Sequence, residues 1–163
     1  MSEERVIAMT VDPLLKIAWQ IAEIEARALG SRIIEPSHFL LAALKVVDLD
    51  FPNQLEGLNL TTDEWKSMCK DAVKVRHYLD VTPDKIRQIR RRFRHRLRRT
   101  ANPPLSTKTK IHRSRKSCAA FFDACCQLKE DTVTLLQLMR SMFELGFLDV
   151  SDMRWRGLTQ TQI

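Results

Sequence analysis

Apolar residues recur along this chain at helical spacing. Leu14, Ile17, Ala18, Ile21, Ala22 and Leu29, with Glu25 among them, mark one face of a first helix. Asp12-Pro13 predicts its start, because Asp suits the cap and Pro the first helical position. Gly30 predicts its end. Trp19 and Ile24 widen the apolar face, which implies contacts on two sides. Glu35-Pro36 opens a second helix that runs to about Val47. It is apolar nearly all round (Phe39, Leu40, Leu41, Ala42, Ala43, Leu44), so it belongs at the centre.

Residues 48–60 are turn-rich, with room for one short helix ending at Gly57. Thr61 and Glu64 have capping-box spacing, and the helix they open carries Trp65, Met68, Cys69, Ala72, Val73 and Val75. Thr82-Pro83 starts a basic helix with a narrow apolar stripe of Ile86, Ile89, Phe93 and Leu97. Asn102-Pro103-Pro104 stops it, and Ser106–Lys110 reads as a linker. A further helix, starting near Ile111 or His112, buries Cys118, Phe121, Phe122, Cys125 and Leu128. The next carries Val133, Leu135, Leu136, Leu138, Met139, Met142 and Phe143. One more short helix fits around Val150–Trp155. No run alternates with period two. The expected class is all-α, with about seven to eight helices.

The pattern is faintly duplicated. Residues 12–45 and 112–140 each read as a long apolar-striped segment, a polar turn and a Leu-Leu helix. An offset of 100 pairs Ala18 with Cys118, Ala22 with Phe122 and Ala26 with Cys126. Leu40-Leu41 then meets Leu135-Leu136 if the second turn is five residues shorter. The expected organisation is a first helical repeat over 1–81, an Arg-rich helix and Pro-containing linker over 82–110, and a degenerate second repeat over 111–163.

Charge and cysteine content refine this picture. The net charge is +7, but residues 85–99 alone hold nine Lys or Arg and no acid; +7 less +9 leaves −2 for the rest. The start MSEERVIAMT lacks the basic run of a signal peptide, and no long apolar run follows, so a cytoplasmic location is expected. Cys69, Cys118, Cys125 and Cys126 form no CxxC pair and read as small apolar residues in a reducing compartment. The four histidines are scattered, so no metal and no cofactor is expected.

Three stretches of the first half carry a family resemblance. ARALG at 26–30, IIEPSHFLLAAL at 33–44 with His38 and Leu40-Leu41 in register, and LEGLNLTTDEW at 55–65 resemble the Clp N-terminal domain, and the second half repeats its first two helices. The resemblance implies a pseudo-two-fold duplicated helical bundle. It also implies a non-catalytic protein–protein interaction module that recruits a substrate or adaptor to a Clp-type AAA+ ATPase. Some members place an acid before the histidine to hold phosphorylated arginine. Ser37 stands there in this chain, with Thr132 at the matching place, so that activity is not carried over.

The Arg-rich helix is the strongest functional signal. Arg90, Arg91, Arg94 and Arg98 lie off the apolar stripe, and guanidinium groups suit carboxylate or phosphate. They are candidate contacts for an acidic protein segment. Ile17, Ile21 and Ile24 are candidates for an apolar groove holding a partner segment. A small basic nucleic-acid-binding protein acting through residues 85–99 is the alternative. A homodimer is a further expectation, because a shortened second repeat leaves apolar surface to cover. No nucleophile, base and orienter come together, and no phosphate-cradling glycine loop is present, so the chain is not expected to be an enzyme. His38 is expected to bond at its helix terminus.

Overall fold

The structure, a computed structural model, describes residues 10–48, 61–79, 82–127 and 132–148. The short helices expected within 48–60 and around 150–155 lie outside the described residues, as does Leu128. Among the described residues there are six helices and four two-residue strands: β1 Thr10–Val11, α1 Pro13–Ala28, β2 Ile33–Ile34, α2 Pro36–Val47, α3 Thr62–Leu79, α4 Pro83–Arg98, β3 His112–Arg113, α5 Arg115–Cys126, β4 Thr132–Val133 and α6 Leu135–Glu144. The protein is mostly helical, in keeping with the all-α class.

Helix ends follow local chemistry. At the end of α1, Gly30 has φ +70, and the N–H groups of Gly30 and Ser31 return to the carbonyls of Arg27 and Ala26. That is the Schellman arrangement. Gly146, at φ +72, closes α6 in the same way, with Phe147 N–H on Met142. Thr82 caps α4 through Lys85 N–H, and the Thr61 hydroxyl accepts from Glu64 N–H. Asp12 departs from expectation. Its side chain forms no cap hydrogen bond of good geometry in α1, although the Leu14 N–H in the first turn pulls its pKa down. It faces Asp71 instead, and burial first, then that neighbouring carboxyl, raises its pKa to about 7.

The centre is α2, which touches α1, α3, α4 and α6. Phe39 to Leu44, Val46 and Val47 are all buried, as an all-round apolar helix requires. The C-terminus of α2 anchors its neighbours. Arg76 of α3 donates to the Val47 carbonyl, and Asp48 receives Arg87 of α4 at 3.1 Å.

The strands pair reciprocally. β1 lies parallel to β4, with Thr10 opposite Thr132, and β2 lies parallel to β3, with Ile33 opposite His112. Asp12 N–H donates to the Val133 carbonyl and Ser114 N–H to the Ile34 carbonyl, at 2.9 and 3.1 Å. The strand before the first helix of each half therefore pairs with the strand between the two helices of the other half.

These anchors correct the register of the repeat. Matching the helix starts Asp12 and Ser114 pairs Ala18 with Ala120 and Ala22 with Ala124, all four buried. The offset of 100 fails because Cys118, Phe122 and Cys126 are exposed rather than buried; of the expected α5 core, Cys125 is buried and Phe121 half-buried. In the second helix pair the caps Glu35 and Thr134 correspond. Pro36 therefore matches Leu135, and the counterpart of Ser37 is Leu136, not Thr132. Only Cys125 behaves as a core cysteine, and its burial raises its thiol pKa.

His38 holds the role expected of it. It is buried at the third position of α2, and its Nδ1 accepts the Glu35 N–H at 2.9 Å. Gln137 of α6 does the same for Thr134 through Oε1, also at 2.9 Å. Burial holds the His38 pKa down at about 4, although the nearby Glu25 charge opposes this. The unfolded chain therefore binds a proton more readily than the fold, and stability is lost as pH falls from about 6.5 through 4. The His38→Gln variant should retain the cap and shed this sensitivity. Compared with wild type, its unfolding free energy should fall by about 2–3 kcal/mol less between pH 7.5 and 4.5 in urea titrations. Equal losses in the two proteins would show that His38 is not the acid-sensitive group.

Candidate interaction surfaces

The basic helix α4 has two sides with different roles. Ile86, Ile89 and Phe93 are buried and Leu97 packs against the core. Each fully buried side chain of this kind contributes about 1.5–3 kcal/mol. Two of the four candidate arginines are tied inward. Arg94 donates to Glu25 Oε1 at 2.7 Å, and Arg90 sits 4.0 Å from the Asp48 carboxylate with its side chain 11% exposed. Arg91 and Arg98 are exposed, and Arg92, His95 and Arg99 are exposed with them. The sequence does not separate these two groups, because the inward partners, Glu25 and Asp48, lie far along the chain.

Glu25 is the core of this arrangement. Buried on α1, it receives Lys45 of α2 at 2.9 Å and Arg94 of α4 at 2.7 Å. Burial alone would raise its pKa, but the Lys45 ammonium and Arg94 guanidinium outweigh that and hold it below the ordinary carboxylate value. Its presence on the buried face was the sequence signal for this cluster, and the cations that answer it were not identifiable.

The groove expected on Ile17, Ile21 and Ile24 is not available. Ile17 and Ile21 are 2% and 0% exposed, and Ile24 is half-buried. The wide apolar face of α1 is used up within the chain, against α2, α3 and α6. Trp19 meets Arg113, whose guanidinium also lies 5.2 Å from the Phe121 ring on the α5 side. Trp65, by contrast, is 44% exposed.

Among the described residues, an open cleft lies between α3 and α6. About 580 Å³ is enclosed by Val73, Lys74, His77, Tyr78, Leu136 and Arg140. A smaller space of about 200 Å³ continues past Lys74, Leu136 and Arg140 to Asp71, Leu14 and Thr134. Val73 is 59% exposed, and Leu136 and Tyr78 are half-buried, so apolar surface faces solvent here. Arg140 stands 5.1 Å over the Tyr78 ring, and Lys74 is 4.0 Å from Asp71. The cleft thus joins an apolar floor to a basic rim. Val73 appeared in the α3 pattern, but nothing in the sequence marked its outward direction.

Among the described residues, no cluster of three His, Cys, Asp or Glu can hold a metal ion, and no helix is long and apolar enough to cross a membrane. No protein-family model matches the chain, and no curated protein matches it in sequence.

Proposed function

We propose that this chain is a Clp N-terminal-type module: a duplicated helical bundle, in three parts (1–81, 82–110 and 111–163), that recruits a substrate or adaptor to a Clp-type AAA+ ATPase without doing chemistry. The reciprocal strand pairing supports the duplicated-bundle reading. The cleft between α3 and α6 carries the functional reading. Its floor of Val73, Tyr78 and Leu136 fits the apolar anchor of a partner segment. Its rim of Lys74, His77 and Arg140 favours acidic residues beside that anchor. Acid selection is thereby placed on Lys74 and Arg140, and a cytoplasmic location keeps the four cysteines reduced.

Short peptides with a central Leu or Phe provide the test, with either Asp/Glu or Lys/Arg flanks, read by fluorescence anisotropy. The acidic set should bind at least about tenfold tighter, a difference of about 1.4 kcal/mol. Val73→Glu, at an exposed position, should abolish that binding and leave the fold intact. Equal binding of both sets, or an unaffected variant, would remove the cleft from consideration. Co-sedimentation with the host's Clp-type ATPase ring tests the delivery role separately.

A further inference from the structure

The outward side of α4 has a composition unlike the cleft. At about 100° per residue, Gln88, Arg91, Arg92, His95, Arg98 and Arg99 share an arc of roughly 120°, opposite the buried stripe. All six are exposed. Among the described residues, no acid pairs with Arg91, Arg92, Arg98 or Arg99. Of the described acids, Glu25 and Asp48 are already engaged by the other side of the helix, Glu25 with Arg94 and Asp48 with Arg87 and Arg90. Asp84, at the N-terminal end, leans to Arg87 at 3.9 Å.

We propose that this strip binds the phosphate backbone of double-stranded nucleic acid without reading its sequence. The deciding observation is what the strip lacks. Every apolar side chain of α4 among the described residues points inward: Ile86, Ile89 and Phe93 are buried, and Leu97 packs on the core. A protein interface draws its affinity from a well-packed, desolvated cluster in which arginines join aromatic side chains, and this strip offers arginines with no aromatic or aliphatic anchor beside them. An interfacial membrane helix needs an apolar face to insert, and that face is occupied. Single-stranded nucleic acid is held by stacking on aromatic rings, and no ring points outward from this helix except that of His95. A regular polyanion needs only charge. Each strand of duplex DNA presents one negative charge per about 3.4 Å of helix axis, and four guanidinium groups spread over about 12 Å of helix, about one per 3 Å, come close to that spacing. The helix is also held in place by its buried stripe and by Arg90 and Arg94, so its backbone need not fold on binding.

The inference stands independently of the cleft. A labelled mixed-sequence 20-base-pair duplex, titrated with the full chain, tests it by anisotropy. Four phosphate contacts predict a slope of about −3.6 in log affinity against log salt, or about a 150-fold loss from 50 to 200 mM. Two unrelated sequences should bind alike. The combined variant Arg91→Gln, Arg92→Gln, Arg98→Gln, Arg99→Gln should lose binding while keeping its circular dichroism and thermal midpoint, because none of the four side chains contributes to the core. Val73→Glu should bind duplex as wild type does. Absence of binding at 50 mM salt, or an unaffected quadruple variant, would overturn the proposal. So would a poly-Glu peptide that binds the same four residues more tightly than duplex, which would assign the strip to an acidic protein.

Discussion

Glu25→Gln should be among the most damaging single substitutions in this protein, costing roughly 3–5 kcal/mol. Gln keeps the shape of Glu, so packing is preserved and the loss is electrostatic. The carboxylate is 6% exposed and holds Lys45 and Arg94, whose side chains are 15% and 24% exposed. Without it, two cations from α2 and α4 face each other beside α1 with no negative charge between them. Because Glu25 is held below its ordinary pKa, its contribution is present at neutral pH and is lost as pH falls through its folded value. The gap between wild type and variant in urea titrations should therefore narrow in acid. Replacing all three residues with apolar ones of similar volume should recover much of the loss. A cost below about 1 kcal/mol would mean that Lys45 and Arg94 reach water on their own.

Gly30→Ala should be nearly as severe, for a different reason. At φ +70 any side chain is strained, which costs about 1–2 kcal/mol. A Cβ there would also lie 2.5 Å from the Pro103 carbonyl oxygen and 2.6 Å from that of Asn102. Both are backbone atoms and cannot rotate away. The segment after α4 is fastened at this point, by Asn102 N–H on Leu29 and Leu105 N–H on Arg27, while the Arg27 guanidinium donates to the Ser106 and Thr109 carbonyls. Displacing it should bring the total to about 2–4 kcal/mol and open residues 101–110 to proteases. Gly146→Ala provides the control. Its φ is +72, but nothing lies within 4 Å of the added carbon, so only the conformational part should appear. Similar costs at both positions, measured by thermal unfolding, would mean that the segment yields easily.

The helices were legible because their punctuation is local. Asp12-Pro13, Glu35-Pro36, Thr82-Pro83 and Gly30 mark helix ends where the chain has them, and the buried stripe of α4 follows from spacing alone. The register of the second half was not legible in the same way. Small residues dominate α5, and Cys118, Phe122 and Cys126 recur at helical spacing just as the buried Ser117, Ala120 and Ala124 do. Periodicity identifies a face but does not say which face turns inward. The tertiary partner decides that, and here it is the β2–β3 pairing, joined by the Ser117 hydroxyl donating to the Ile34 carbonyl at 2.8 Å. Four two-residue strands are too short to leave an alternating pattern, so the contacts that set the register carry no sequence signature. The cleft was missed for the same reason. Ile17, Ile21 and Ile24 gave a broader apolar face than Val73 and Leu136, and breadth proved to measure burial on two sides rather than openness.

The crossing of the strands has a consequence for synthesis. Thr10 waits for Thr132, and their hydroxyls meet at 2.8 Å across 122 positions of chain. A growing polypeptide that has released α1 and α2 still lacks the strand that closes over β1, and β2 stays open until residues 112–113 emerge. Neither half can finish alone. Until then α2, apolar on every side, depends on whatever covers it. Contacts this distant slow the final closure, so the growing chain carries this uncovered apolar surface until its last third has emerged.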